Sequence, residues 1–340
     1  MNDLPRSLVL CVTVLALGFV AGCDSKKSSG TPGATPPAKV SVRLQWFPVA
    51  QFAGIYSAQA KGFYAQAGLD VTANPGGPDF NAITLVSNGS DTFGIWTADQ
   101  ILINSSKGVP IKIVAVIYRR DPNVLLVRKG SAIKSPKDFV GKRVTTVYGR
   151  ATETVLRALL KKSGVDPKDV LIEPFPFNLQ SFAADKVDVS AAYVYDHPYQ
   201  ARQLGMEVDI IDPGTYGISF YSDCLFVRSD MIDSDPHSVE AFVHATLRGW
   251  EFALSHKDEA VAIVCRQASG LNQESQAYML EHSEPLIRAE DPGHLGLASE
   301  ASLEAMKAIL VEQGQLDSSF DVKRCFTNRF VESYYSQTPK

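Results

Sequence analysis

SVRLQWFPVAQFAGIYSAQAKGFYAQAG, residues 41–68, is the stretch on which the reading of the chain turns. Val42, Leu44 and Trp46 alternate with polar residues, the period of a strand with one buried face. Pro48 ends that strand, and its fixed φ suits the first turn of a helix. The helix carries Phe52, Ile55 and Tyr56 on one side, and Gly62 is placed to close it. Phe63, Tyr64 and Gly68 make a further short turn before a new strand, Leu69 to Thr72. A strand that runs straight into a helix brings its carboxyl end beside a helix N-terminus, where open α/β sheets place their ligands. Gln45, Trp46 and Gln51 meet at that junction. An amide beside an indole is suited to gripping a flat polar ring. Trp46 as an ordinary core side chain fits the same pattern equally well.

Working outward, Pro75-Gly76-Gly77-Pro78-Asp79 is turn chemistry, and Asp79 is placed to cap a helix bearing Ile83, Leu85 and Val86. Phe93 to Trp96 reads as a buried strand, Asp99 to Asn104 as a helix, and Ile111 to Tyr118 as a continuous apolar strand, followed by Asn123 to Val127. This alternation describes an α/β fold with a largely parallel sheet covered on both faces. The pattern restarts after Ser135-Pro136-Lys137-Asp138-Phe139, a capped turn, with a strand at 143–147, a helix bearing Val155, Leu156, Leu159 and Leu160, and strands at 170–172 and 189–194. The chain turns strand-like again from Ile218 to Val227 and is helical beyond Asp235. The reading is of two βα lobes, 39–127 with 220–340 and 128–219, joined by two crossings near 125–130 and 218–226. Such lobes close around a ligand by hinge motion.

The amino terminus is different in kind. Arg6, the apolar run Leu8 to Phe19, and Val20-Ala21-Gly22-Cys23 form a secretory signal over residues 1–22. Its end resembles a bacterial lipobox, which implies lipid attachment to Cys23; a plain signal peptide or a short anchor is the alternative. Residues 23–38 are a Ser/Gly/Pro/Lys-rich tether. No stretch after residue 30 approaches the roughly 20 apolar residues that span a bilayer. A net charge of −4 with 21% charged residues gives no support for nucleic-acid binding. Of the five cysteines, Cys224, Cys265 and Cys325 follow the tether. Cys265 and Cys325 can be drawn as a pair with Cys224 as a buried thiol, and the sequence leaves that open. The six histidines are scattered, and no HExxH, GxSxG or Walker-type loop occurs.

Taken in order, LQWFPVAQFAGIYSAQAKGFYAQAGLDV, GGPD, NGSDTFGIW and YGISFYSDCLFV resemble substrate-binding proteins of ABC importers, and the resemblance covers roughly residues 40 to 330. The branch includes receptors for thiamine-precursor pyrimidines, relatives that bind riboflavin-like molecules, sulfonates, taurine or nitrate, and the fungal pyrimidine synthase of thiamine biosynthesis. The resemblance implies a type II periplasmic-binding fold with ligand between the lobes. It implies a ring-gripping role for Gln45 and Trp46, a second wall at Trp96, and a second-lobe loop, Tyr148-Gly149-Arg150-Ala151-Thr152, that meets a polar or anionic group. Helix N-terminal N–H groups and Arg150 agree with that last role. Where the branch carries a "Y-V-T-N-E-P"-like segment, this chain has Tyr193-Val194-Tyr195-Asp196-His197-Pro198, which changes the donors and charge offered. Tyr195 is a further wall, Asp196 an acceptor, and Tyr221 with Ser222 contribute from the returning strand.

The synthase branch needs a Schiff-base lysine, and at the corresponding places this chain has Trp96 and Gln100, so no enzyme and no cofactor is expected. The expectation is a monomeric, lipid-anchored receptor on the extracytoplasmic face of a bacterial membrane. It delivers a small planar heterocycle, a thiamine-precursor pyrimidine before a flavin-like compound or a sulfonate, to a permease and its ATPase. A sensor that presents ligand to a membrane partner without transport is the other reading of the same features.

Overall fold

A computed structural model of the protein describes residues 36–337. The signal, Cys23 and the tether up to residue 35 lie outside the described residues.

Strand β1, Ala38–Arg43, buries Val40 and Val42 and leaves Ser41 and Arg43 half-buried, as the alternation requires. It stops sooner than its pattern suggests. Pro48 has no N–H to donate, and the chain bends over residues 45–49 before a 3₁₀ turn, Ala50–Phe52. Trp46 therefore stands beyond the strand rather than in it. The Ala50 N–H donates to Gln276 Oε1 at 2.7 Å, which ties the turn to the helix Gln273–Ile287. The helix Ala53–Ala60 follows, and Gly62 takes φ 69° after it. Strand β2, Leu69–Asn74, lies parallel to β1. Asn81, not Asp79, caps the helix Ala82–Ser87. The turn at Ser135 has the expected reciprocal cap between Ser135 and Asp138.

The remaining strands are β3 (Phe93–Trp96), β4 (Ile111–Tyr118), β5 (Asn123–Arg128), β6 (Arg143–Thr146), β7 (Leu171–Pro174), β8 (Val189–Tyr193), β9 (Val208–Ile211) and β10 (Ser222–Arg228). They form two sheets, ordered β2-β1-β3-β10-β4 and β7-β6-β8-β5-β9. Both sheets are mixed rather than largely parallel. β10 runs antiparallel to β3 and β4, and β5 runs antiparallel to β8 and β9. These are the two strands on which the chain enters a new sheet, so each arrives against the direction of its neighbours. The first passage occupies residues 119–122, earlier than the expected 125–130, because β5 pairs in the second sheet. The return lies between Ile211 and Ser222.

The tail covers the first sheet through the helix Pro236–Ser255, where Phe242 stacks on Phe93 with ring centroids 3.9 Å apart. That helix crosses Ala53–Ala60 almost backbone to backbone. A Cβ on Gly249 would come within 2.1 Å of the Gly54 carbonyl oxygen, and one on Gly54 within 2.3 Å of the Trp250 ring. Only glycine permits such an approach. Cys224, Cys265 and Cys325 are free thiols.

Candidate functional site

The bend that displaces Trp46 makes the site. Its indole lies 5.4 Å from the ring of Phe177, which belongs to the second lobe. Beneath them is a cavity of about 150 Å³. The first lobe lines it with Trp46, Val49, Gln51 and Met279. The second lines it with Val147, Thr152, Phe175, Phe177, Ala191 and Ala192, and with the run Tyr193, Tyr195, Asp196, His197 and Gln200. The lobes also touch where Tyr118 and Tyr195 approach at 5.8 Å and Tyr199 and Tyr278 at 5.4 Å.

Phe177 is exposed and holds φ 58°, a left-handed conformation that bulky side chains rarely adopt. Strain of this kind collects at ligand clamps. It follows Phe175-Pro176 after β7, and the bend aims its ring across the cleft.

The polar groups have defined directions. Gln51 Nε2 donates to both oxygens of Asp223, at 2.9 and 3.1 Å. Asp223 is buried in β10, and burial pushes its carboxyl up to about 7. The Tyr193 N–H donates to His197 Nδ1 at 3.0 Å. Burial holds the imidazole below its ordinary value, against the pull of Asp196, so the ring is neutral and carries its proton on Nε2. Asp196 accepts from Gln200 Nε2 at 2.8 Å. Thr152 bonds the Val147 backbone. Among the described residues, no lysine or arginine lines the cavity.

Of the residues singled out in the sequence, Trp46, Gln51, Tyr195 and Asp196 are brought together here. The others are not. Gln45 points its Oε1 into the interior, where it has no hydrogen-bond partner among the described residues. Trp96 is buried, and the Arg150 guanidinium covers its ring at 4.6 Å while donating to the Pro78 carbonyl at 3.1 Å. Tyr148 is exposed and donates to the Ile172 carbonyl at 3.1 Å. The Gly149 N–H, expected to greet an anion, donates instead to Glu153 Oε2 at 2.8 Å, a carboxylate in the first turn of the helix Ala151–Lys162. Tyr221 braces the return passage, donating to Glu290 Oε2 at 2.7 Å and accepting from the Ser299 N–H at 3.1 Å.

Sequence reasoning passed over Phe175, Phe177, Tyr193, Gln200 and Met279, and noted His197 only as a departure. Phe-Pro-Phe directly after a strand was the available signal for the first two. Met279 lies in a helix remote in sequence and had none.

Comparison with known proteins agrees with this architecture. Residues 49–260 match the family model described as NMT1/THI5 like. The chain belongs to that family. It is 27% identical to riboflavin-binding protein RibY of Chloroflexus aurantiacus, over 95% of this chain and 97% of that protein. It is 24% identical to the formylaminopyrimidine-binding protein of Halalkalibacterium halodurans, over 82% of this chain and 87% of that one. Among solved structures, the periplasmic aliphatic sulphonate binding protein SsuA of Escherichia coli superposes with TM-score 0.67 at 16% identity, covering 85% of this chain and 91% of its own. The fold is that of the type II periplasmic binding proteins.

Proposed function

We propose that the protein is the solute receptor of an ABC importer and captures an uncharged planar heterocycle between its lobes. The observation that carries this reading is the cavity itself: aromatic faces from both lobes, a few directed polar groups, and, among the described residues, no cationic side chain in the lining. A sulfonate or nitrate would be desolvated there beside Asp196 with no positive charge to meet it, which costs more than a few hydrogen bonds return. A pyrimidine related to thiamine precursors ranks first, in keeping with the named specificity of one relative. A flavin-like compound ranks second, because Phe47 and Phe177 extend the aromatic surface into solvent beside Trp46.

The same reading makes the protein a binding module rather than an enzyme. It is tethered by lipid on Cys23, on the extracytoplasmic face of a bacterial membrane, and it works as a monomer beside a permease and its ATPase. The test is a thermal-shift panel of aminopyrimidines, riboflavin, taurine and nitrate. A true ligand at 100 times its Kd stabilises by about 2.7 kcal/mol. Stabilisation by taurine or nitrate alone would overturn the heterocycle reading.

A further inference from the structure

Behind the cavity's first-lobe amide stands a carboxylate that is not part of the lining. Above about pH 7, where Asp223 is ionised, its carboxylate only accepts hydrogen bonds, so its pairing with Gln51 there fixes which end of the amide is which. The nitrogen is committed to Asp223, and Oε1 hydrogen-bonds no other described residue. Asp223 sits at φ 46°, a conformation that aspartate and asparagine adopt more readily than other side chains. Across the cavity the Tyr193 N–H fixes His197 as an Nε2–H donor, and that nitrogen likewise meets no other described residue. Each lobe thus presents one polar end of fixed sense.

We propose that Asp223 is a positioning residue for solute specificity. It holds Gln51 Oε1 toward the cavity, so the solute brings an N–H donor to the first lobe and an acceptor to His197 in the second. The inference rests on the receptor reading above and narrows it. The solute class is a neutral heterocycle with an amine or ring N–H on one edge and a ring nitrogen or carbonyl on another. Solutes that only accept lack the required donor.

The test uses the whole protein and pairs of near-isosteres. One pair is 4-amino-2-methylpyrimidine and 2,4-dimethylpyrimidine, which differ by NH₂ against CH₃. The other is riboflavin and its N3-methyl analogue. The wild type is expected to favour the donor-bearing member of the pair it binds by about tenfold or more, the scale of a buried polar group left unpaired. In Asp223→Asn the new amide is able to donate to Gln51 Oε1 and turn it round. The preference is then expected to fall within about threefold, while affinity for the donor-free member and the melting temperature hold. Gln51→Met removes the acceptor directly and is expected to give the same collapse, which keeps the test decisive if Asp223→Asn folds poorly. A tenfold preference that survives in both variants, or one absent from the wild type, overturns the inference and leaves the receptor reading standing. A wild type that binds neither pair overturns both.

Discussion

Trp46 and Trp96 stand at the ends of neighbouring strands, yet only one of them faces the cavity. Trp96 completes β3 and is sealed beneath Arg150. Trp46 lies past the end of β1, half-buried, and meets Phe177 across the cleft. What differs is the element opposite each ring. Over Trp96 the helix Ala151–Lys162 is stitched to the first lobe: Thr154 Oγ1 donates to Asp99 Oδ2 at 3.1 Å, and Gln313 Nε2 donates to the Thr154 carbonyl at 3.0 Å. Over Trp46 no helix intervenes, and the facing residues are aromatic side chains and a loop. A strand-end tryptophan becomes a wall of the cavity only where the other lobe leaves space.

The sharpest way to break this comparison is to truncate both rings. Trp96→Ala is expected to lower unfolding free energy by about 3–5 kcal/mol in a denaturant titration, as for other buried large-to-small changes. Trp46→Ala is expected to cost about 1 kcal/mol of stability but to abolish the ligand-induced thermal shift. A Trp46→Ala protein that still shifts would remove this ring from the site. Phe177→Gly sharpens the same point at smaller scale. It relieves the positive φ, so stability should hold, while loss of the opposing ring should weaken binding by about tenfold in calorimetry.

Acidity separates the buried interior from the surface by a smaller effect. Burial pushes the carboxyls of Asp121 and Asp223 up to about 7 from the ordinary 3.8. Between those values the folded protein holds protons that the unfolded chain has released, so stability rises as pH falls through about 7. Melting temperature is expected to be a few degrees higher at pH 5.5 than at pH 8, with a flatter profile in Asp223→Asn. Asp138, exposed, and Asp188, half-buried and paired with Arg143, lie below their ordinary range and act in the opposite sense, at lower pH. The smallest change is expected from Arg150→Gln. Its charge lies outside the lining, so affinity for a neutral heterocycle should stay within about threefold by calorimetry. A large loss would put Arg150 back into the ligand site.

Much of the fold was legible because local chemistry agreed with the final arrangement. The alternation at the start of β1, the Ser135–Asp138 cap and the apolar faces of the later helices read correctly, while the strand pattern carried on too far, to Trp46. The boundary between the sheets did not. β4 and β5 are both continuous apolar runs a few residues apart, and nothing in their composition states which partners each will find. The site was half legible for a similar reason. Trp46, Tyr195 and Asp196 carry recognisable chemistry just past strand ends, and Gln51 does so in the 3₁₀ turn that follows. Whether a ring is covered depends on a distant element, as with Arg150 over Trp96. The Gln51–Asp223 pair spans 172 positions, and the sense of the amide exists only once both ends are in place.

The order of strands along the chain also governs when each half is finished. Every strand of the second sheet lies between residues 123 and 211, whereas β10, the strand that joins β3 to β4, starts at Ser222. A nascent polypeptide stopped near residue 215 therefore holds one completed sheet and another split by a missing central member, with two bare edges facing each other. Asp223, the carboxylate proposed to orient the Gln51 amide, arrives on that same late strand, so a chain stopped before it lacks that partner for Gln51.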